Sequence, residues 1–317
     1  MLKDLHGRLR PLGIADILDE TVELYKSNFV LLAGIVGVIY IPYTAVSGLI
    51  RGPQLAAGAI GSIVDGLAAV VISSIVTGAL TFAISERYLD RPASVAGSYR
   101  RMLKASVFLP LLGAMILKDV IIFAPFGGIV VVSTALAAAA AIHAHALSPV
   151  VALLVVGASM LIGLVWAAYF GVRFALVEPT VILEQAGVGR ALSRSWSLIG
   201  GSVGKGFWLL LVVVLVTSAV VFAFTGPTTV VMMMRTMARQ EVSRSLLAIH
   251  TILTALVQML VASWTSIAVI LLYYDMRIRK EGFDLDLLAR ELDESARAFR
   301  AHGAAALPQE QPSARDD

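Results

Sequence analysis

Long apolar runs alternate with short charged segments along most of the chain. A helix needs about 20 apolar residues to cross the hydrocarbon core of a bilayer. The runs that reach this length predict six transmembrane helices, at residues 28–50, 61–86, 106–125, 149–174, 206–226 and 249–274. The third run is interrupted by Lys118 and Asp119, and apolar sequence continues after it to Ala141. The pattern therefore leaves the end of the third span open.

A short amphipathic stretch precedes the first, third and fifth spans. In each stretch, apolar residues recur at helical spacing on one face, which predicts an interfacial helix. The predicted faces carry Ile14, Ile17, Leu18, Val22 and Tyr25, then Val95, Tyr99, Met102 and Leu103, then Val188, Ala191, Leu192 and Ile199. Proline also recurs late in the odd spans, at Pro42, Pro125 and Pro227. The pattern predicts an all-α integral membrane protein made of three repeated units, each an amphipathic helix plus a helical hairpin.

Helical periodicity resumes after the sixth span, where Leu285, Leu288, Leu292 and Phe299 fall on one face. A further amphipathic helix is therefore predicted within residues 276–300. Residues 301–317 show no apolar periodicity and are predicted to be disordered. The remaining divisions are an N-terminal segment with its amphipathic helix, residues 1–27, and a six-span membrane domain, residues 28–275.

Composition supports the membrane assignment. Hydrophobic residues make up 58% of the chain and charged residues 15%, whereas about 25% charged residues are usual in soluble domains. The net charge is only +3 and the basic residues are scattered, which argues against a nucleic-acid partner. The absence of cysteine excludes disulfides and cysteine-ligated metals. The N-terminus lacks the apolar core of a cleavable signal peptide, so the first span is expected to direct insertion.

Basic residues are distributed unequally between the connections. The segments before the first, third and fifth spans and after the sixth hold most of them, whereas the alternate connections hold only Arg51, Arg235, Arg239 and Arg244. The positive-inside rule therefore predicts that both termini and the amphipathic helices lie in the cytoplasm. The chain is expected to be a multi-pass protein of the plasma (inner) membrane.

Three stretches carry a family resemblance: LRPLGIADILDETVELYKSNF (9–29), VEPTVILEQAGVGRALSRSWSLIGG (177–201) and LLYYDMRIRKEGFDL (271–285). They resemble a bacterial membrane-protein family named after the membrane domain of glycerophosphoryl diester phosphodiesterase. The residues that match its pattern are Glu184, Ala191, Arg194, Ser195, Tyr274, Asp275, Arg277 and Arg279. In the full-length enzyme, catalysis resides in a separate soluble barrel. The resemblance therefore implies a membrane domain without its catalytic domain.

Motifs for catalysis or metal binding are weak. His143 and His145 lie close together in an external connection but have no acidic neighbour and no third ligand in the sequence. Ser193, Ser195 and Ser197 occur without a Gly-x-Ser-x-Gly motif or an evident base. We therefore predict no catalytic residue, no metal site and no cofactor, and we do not expect the chain to be an enzyme.

Ionisable residues inside the spans are better candidates, because a charge that faces lipid costs at least about 2.5 kcal/mol. Asp65, Lys118 and Asp119 form a candidate intramembrane polar site. One interpretation is structural: a salt bridge between helices, with Asp65 as the suggested partner of Lys118, or a kink that lifts Lys118 and Asp119 to the outer interface ahead of Pro125. The alternative is a hydrated cavity or substrate path. Arg173 and Glu178 are expected to extend to the cytoplasmic interface and to pair there.

A second candidate lies where the sixth span ends. We predict a cytoplasmic collar of ion pairs that fixes the helix ends, formed by Glu184, Arg190, Arg194, Asp275, Arg277 and Arg279. An anionic lipid headgroup site is the alternative for this cluster, since arginines at the cytoplasmic leaflet attract phosphates. Nearby acidic residues favour the ion-paired collar.

The expected function is that of a non-enzymatic membrane anchor, scaffold or lipid-contacting module. Its partners would be the lipid bilayer and either another membrane protein or further copies of the chain. The alternative is a transporter or channel with a path lined by Asp65, Lys118 and Asp119, because internal repeats and intramembrane charges are features of transporters. The spans carry few other polar residues, which favours the first function.

The predicted topology can be tested with reporter fusions. Since both termini are expected in the cytoplasm, a periplasm-active reporter fused at residue 300 should give no signal. The same reporter fused at residue 145, in the connection after the third span, should be active. A strong signal from the fusion at residue 300 would refute the six-span topology.

Overall fold

The computed structural model describes residues 11–50, 59–143 and 149–282, and within them the side chains of all but 47–50, 59–65, 140–143 and 149. These residues are helical apart from short connections and contain no strand, as predicted. In chain order the helices are α1 (Ile14–Ser27), α2 (Phe29–Ile50), α3 (Ala59–Tyr88), α4 (Val95–Met102), α5 (Ala105–His143), α6 (Pro149–Arg173), α7 (Val177–Leu183), α8 (Val188–Ile199), α9 (Val203–Met237) and α10 (Arg244–Glu281).

Helices α2, α3, α5, α6, α9 and α10 are each long and apolar enough to cross a membrane. They follow the order of the six predicted spans, so that part of the prediction is confirmed. Lipid offers no hydrogen-bond partners to the backbone, whereas a helix satisfies its backbone hydrogen bonds within one segment. An apolar run of this length is therefore stable in a membrane as a helix. Large apolar side chains are exposed along these helices, including Leu153, Leu161 and Val165 of α6 and Val214 and Phe222 of α9.

The predicted limits of the third and fifth spans are too short. The sequence predicted 106–125 for the third span, but α5 is one helix of 39 residues, about 58 Å long at 1.5 Å per residue. Pro125 marked the predicted end. Proline is tolerated inside transmembrane helices because neighbouring groups and local adjustments satisfy the freed backbone atoms. In the same way, α9 continues through Pro227 and ends at Met237 instead of residue 226.

The short helices α1, α4 and α8 form within the three amphipathic stretches. Local capping explains where two of them begin. The Gly13 N–H donates a 2.8 Å hydrogen bond to the carboxylate of Asp16 at the start of α1. The Gly97 N–H donates to Ser94 Oγ at 3.2 Å at the start of α4. Each bond satisfies a backbone donor that a helix N-terminus leaves unpaired.

The buried faces of these helices match the predicted faces only in part. They consist of Ile17, Thr21 and Leu24, of Ser98, Tyr99 and Met102, and of Ala191, Ser195, Leu198 and Ile199. Hydroxyl residues lie inward because their polar atoms find acceptors, as when Thr21 Oγ1 donates to the Ile17 carbonyl at 2.7 Å. Leu103 was predicted on a buried face but is 59% exposed, because α4 ends at Met102.

Tyr99 fastens α4 to the first transmembrane hairpin. Its hydroxyl donates a 2.5 Å hydrogen bond to the backbone carbonyl of Ile35 in α2. Burial raises the pKa of Tyr99 to about 12, so the phenol remains a protonated donor at neutral pH. On the same short helix, Met102 packs against Gly78 of α3, where a Cβ atom would lie 2.1 Å from the methionine sulfur. The glycine therefore allows α3 and α4 to approach closely.

Helices α5 and α6 pack against each other through small and polar residues. Ser133 Oγ and Ser159 Oγ are hydrogen-bonded at 2.8 Å, and Trp166 Nε1 donates to the Ile121 carbonyl at 3.2 Å. Gly163 of α6 faces the ring of Phe126. Small residues and interhelical hydrogen bonds are the usual means by which helices associate in a membrane, where lipid is as apolar as the helix surface.

The described chain forms two units. All contacts above lie in the larger unit, Leu12–Tyr273, and the smaller unit is described for Pro11 and Tyr274–Gly282. Within the smaller unit, Arg277 Nε donates to Glu281 Oε2 at 3.1 Å. The N-terminal residues 1–10 and the tail 301–317 lie outside the described residues. Of the amphipathic helix predicted within residues 276–300, residues 276–281 belong to the end of α10, and residues 283–300 lie outside the described part of the chain.

Gly163 provides a test of the α5–α6 contact. A Cβ atom at position 163 would lie 2.2 Å from Cδ2 of Phe126, whereas a Cβ at Gly157 of the same helix meets nothing within 4 Å. Gly163→Ala should therefore destabilise the protein by about 1–3 kcal/mol through overpacking. Thermal unfolding in detergent measures the effect, with Gly157→Ala as the matched control. Equal melting temperatures for the two variants would contradict the close contact.

Candidate functional site

Lys118 lies on the inward face of α5. Leu111, Met115 and Ile122 are buried, and their spacing of four and then seven residues places Lys118 on the same stripe. The Lys118 side chain is only 16% exposed. An ammonium group in this position needs a partner, because removing an isolated charge from water is costly.

Helix α7, which the sequence analysis did not predict, supplies this partner. Lys118 Nζ donates to Glu178 Oε1 in an ion pair, and the Glu178 side chain is 13% exposed. Val181 and Ile182 follow Glu178 at helical spacing and join the same apolar cluster as Leu111. The packed faces of α5 and α7 thus carry one charge each, and the two charges pair where these faces are in contact.

Of the three residues predicted for the intramembrane polar site, Lys118 is the one whose partner the structure identifies. That partner is Glu178 instead of the suggested Asp65. Asp119 is half-buried beside Lys118, although the ion pair is formed by Glu178. Asp65 belongs to α3, but its side chain is not among those described. Its participation in the site stays a prediction.

The ion pair borders an apolar cluster formed by four helices. Met102 of α4, Leu111 and Met115 of α5, Val181 of α7 and Ala191 of α8 are all buried in this cluster. A sequence signal for this arrangement exists, because Glu178 with Val181 and Ile182 has the same amphipathic spacing as the α5 stripe. The signal is short, and α7 has only seven residues, so periodicity alone does not separate it from a loop.

Ser195 closes the connection between α6 and α7. Its side chain is fully buried, donates to the Arg173 carbonyl at 2.9 Å and accepts from the Leu176 N–H at 3.2 Å. These bonds satisfy two backbone groups where the fourth span ends. Ser195 thus has a structural position, holding α8 against the end of α6.

Glu184 links three helices at the other end of α7. Arg194 Nε of α8 donates to its two carboxylate oxygens at 3.2 and 2.9 Å, and the Tyr273 hydroxyl of α10 donates to Oε1 at 2.9 Å. Tyr273 was not among the predicted site residues. Glu184 and Arg194 of the predicted collar are therefore in contact, while Arg190 is exposed on α8.

The other collar residues belong to the smaller unit. There, Arg279 Nε donates to both oxygens of Asp275 at 3.0 and 3.2 Å, and Arg277 pairs with Glu281. Both pairs have i,i+4 spacing within one helix, where oppositely charged neighbours stabilise each other. A single collar that joins these residues to Glu184 stays a prediction.

The expected pair between Arg173 and Glu178 is wrong. Glu178 is bound to Lys118, because α7 turns this side chain towards α5. Arg173 instead stacks on aromatic rings: its guanidinium carbon lies 4.3 Å from the ring centroid of Trp196 and 5.4 Å from that of Tyr169. Its Nε also donates to the Tyr169 hydroxyl at 3.2 Å.

A mutational cycle tests the Lys118–Glu178 pair. Lys118→Met or Glu178→Leu should each lower the free energy of unfolding by about 3–5 kcal/mol, because the remaining charge is buried without its partner. The double variant should recover much of this loss. Thermal unfolding in detergent provides the measurement, and Asp119→Asn serves as the neighbouring control with a smaller expected effect. Additive losses in the double variant would show that the two side chains do not stabilise each other.

One comparison with known proteins agrees with a membrane protein. The family model described as the membrane domain of glycerophosphoryl diester phosphodiesterase matches residues 116–298, more than half of the chain. No curated protein and no solved structure matched. The matched region contains Lys118, Glu178, Glu184, Arg194 and Tyr273, and it includes two of the three resembling stretches; the stretch 9–29 precedes it. The resemblance is confirmed: this multi-pass membrane protein belongs to the family of membrane domains of glycerophosphoryl diester phosphodiesterase.

Proposed function

We propose that this chain is a non-enzymatic membrane anchor, scaffold or lipid-contacting module of the plasma (inner) membrane, with both termini in the cytoplasm. The observation that carries the proposal is that charged side chains inside the larger unit form ion pairs between helices. Lys118 and Glu178 bind each other, and so do Arg194 and Glu184. Charges engaged in this way hold helices together and leave the lateral surface to apolar side chains.

The lateral surface supports a role in contacting lipid or another membrane protein. Leu153, Leu154 and Leu161 of α6 are each more than 60% exposed, and so are Phe222 and Met237 of α9. In a bilayer these faces contact acyl chains, a protein partner or a second copy of the chain. A surface of this kind suits an anchor or scaffold, because assembly in membranes depends on lateral packing.

The order of the helices supports a threefold organisation. A short helix followed by two long helices occurs as α1–α2–α3, as α4–α5–α6 and as α8–α9–α10. We propose that these are three copies of one unit and that each begins on the cytoplasmic side. Helix α7 would then be an addition between the second and third copies, where it supplies Glu178 and Glu184.

The Lys118–Glu178 ion pair also favours this proposal over a transporter with a path lined by Lys118 and Asp119. A lysine that lines a water-filled path would be hydrated, whereas Lys118 is bound to Glu178 and mostly buried. A chain without native cysteine allows a direct test. Asp119→Cys should react poorly with a membrane-impermeant thiol reagent in intact cells, because position 119 does not line an aqueous path.

Gln240→Cys is the positive control for this labelling, since Gln240 is exposed in the connection between α9 and α10. Ready labelling at position 119 together with unchanged thermal stability would favour a transporter. A second arm measures catalysis: the purified protein should not hydrolyse glycerophosphodiesters, with or without divalent metal. Turnover that disappears when one His or Asp of this chain is replaced would overturn the non-enzymatic role.

A further inference from the structure

Aromatic side chains form a cluster near the end of α6. Phe170 lies between Trp166 and Phe174, with ring centroids 4.3 and 6.0 Å away. Trp196 of α8 completes the group at 5.8 Å from Phe174. Trp196 is 38% exposed, so this cluster reaches the surface of the protein.

Arg173 ends a helix that is long enough to reach from one edge of a bilayer to the other. Helix α6 has 25 residues, about 37 Å at 1.5 Å per residue, and Arg173 is its last residue. The hydrocarbon core is about 30 Å thick, so a helix of this length brings its last residue to the level of the lipid headgroups. Tryptophan and tyrosine concentrate at the same level, as Tyr169 and Trp196 do beside Arg173.

The guanidinium group retains hydrogen-bonding capacity. It has five N–H donors, of which Nε binds the Tyr169 hydroxyl and Nη1 lies 3.5 Å from the Trp196 carbonyl. Within the described part of the chain, Arg173 forms no ion pair with a carboxylate. Most of its donors are therefore available to a ligand, and the positive charge is not neutralised by a neighbouring acid.

The surrounding structure holds Arg173 ready for a ligand. Stacking on Trp196 and Tyr169 restricts the guanidinium, and Ser195 fixes the Arg173 backbone through its carbonyl. A side chain that is already ordered loses less conformational entropy when it binds. Gly200 leaves this side of the guanidinium uncovered, since a Cβ there would lie 3.7 Å from Nη1, in van der Waals contact with it.

We propose that Arg173, framed by Tyr169 and Trp196, binds a phosphate oxyanion at the membrane surface. The planar guanidinium fork matches two phosphate oxygens. The phosphate could belong to an anionic phospholipid headgroup or to a soluble phosphate ester. This site rests on the proposed lipid-contacting role and gives it a chemical basis. It is distinct from the ion pairs of the predicted collar, in which Arg194, Arg277 and Arg279 have carboxylate partners.

The test uses the full chain in neutral detergent and measures the melting temperature against ligand concentration. The probes are short-chain phosphatidylglycerol, short-chain diacylglycerol without phosphate, and inorganic phosphate. Phosphatidylglycerol should stabilise the protein at saturating concentration, since a ligand that binds the folded state raises its stability, and diacylglycerol should not. Arg173→Gln should weaken the apparent affinity at least about tenfold, as expected for lost charge-assisted hydrogen bonds.

Arg100→Gln is the matched control, because it removes the same charge from an exposed position on α4 and should change the affinity by no more than about twofold. Arg173→Lys keeps the charge but loses the fork and should bind several-fold more weakly. This variant decides the result if Arg173→Gln does not fold. Unchanged affinity in the Arg173 variants, or no stabilisation by either phosphate compound, would overturn the proposal.

The two phosphate probes identify the source of the ligand. Stabilisation by phosphatidylglycerol alone would support a lipid headgroup, and equal stabilisation by inorganic phosphate would support a soluble phosphate compound at the same arginine. Measuring hydrolysis in the same samples distinguishes a failure of the proposed non-enzymatic function from a failure of the proposed Arg173 site. Turnover would overturn the non-enzymatic role and leave phosphate binding intact, whereas loss of binding alone would overturn only the Arg173 site.

Discussion

Two charges that cannot remain alone in an apolar setting determine how the centre of this protein packs. Lys118 lies on the inward stripe of α5 between buried apolar residues, and Glu178 occupies the corresponding position on α7. Neither side chain can be withdrawn from water without the other, because a buried unpaired charge is costly. The pair therefore fixes α7 against α5, and the ends of α7 then fix the position of the neighbouring helices.

Each end of α7 is bound by residues of neighbouring helices. At its N-terminal end, Ser195 of α8 hydrogen-bonds to the backbone of Arg173 and Leu176, in the connection between α6 and α7. At the C-terminal end of α7, Glu184 accepts hydrogen bonds from Arg194 and Tyr273 and joins α7 to α8 and α10. The matched residues Glu184, Arg194 and Ser195 thus share one structural task. They supply hydrogen-bond partners to polar groups at the ends of helices, where neither lipid nor the regular helical hydrogen bonds can do so.

The distribution of polar contacts separates the protein into regions with different surroundings. Short amphipathic helices and the beginning of α5 enclose an apolar cluster with buried partners. The remaining length of the long helices exposes large apolar side chains, for which lipid or another membrane protein is the suitable environment. Arg173 lies where α6 passes from one region to the other. Its aromatic neighbours and its unoccupied donors suit the phosphate group that we propose it binds.

The sequence by itself determined the class of the protein, because the number and order of the membrane helices follow from apolar runs of sufficient length. It also located the three short helices α1, α4 and α8, since helical periodicity is a local property. Where α5 and α9 end depended on groups around Pro125 and Pro227 that a local pattern does not contain. The partner of Lys118 was likewise decided by tertiary structure. Glu178 is 60 residues away in the chain, on a helix of seven residues that is stable only where its apolar face is packed. Ion pairs between distant segments depend on which faces meet, and the meeting of faces is a property of the folded chain.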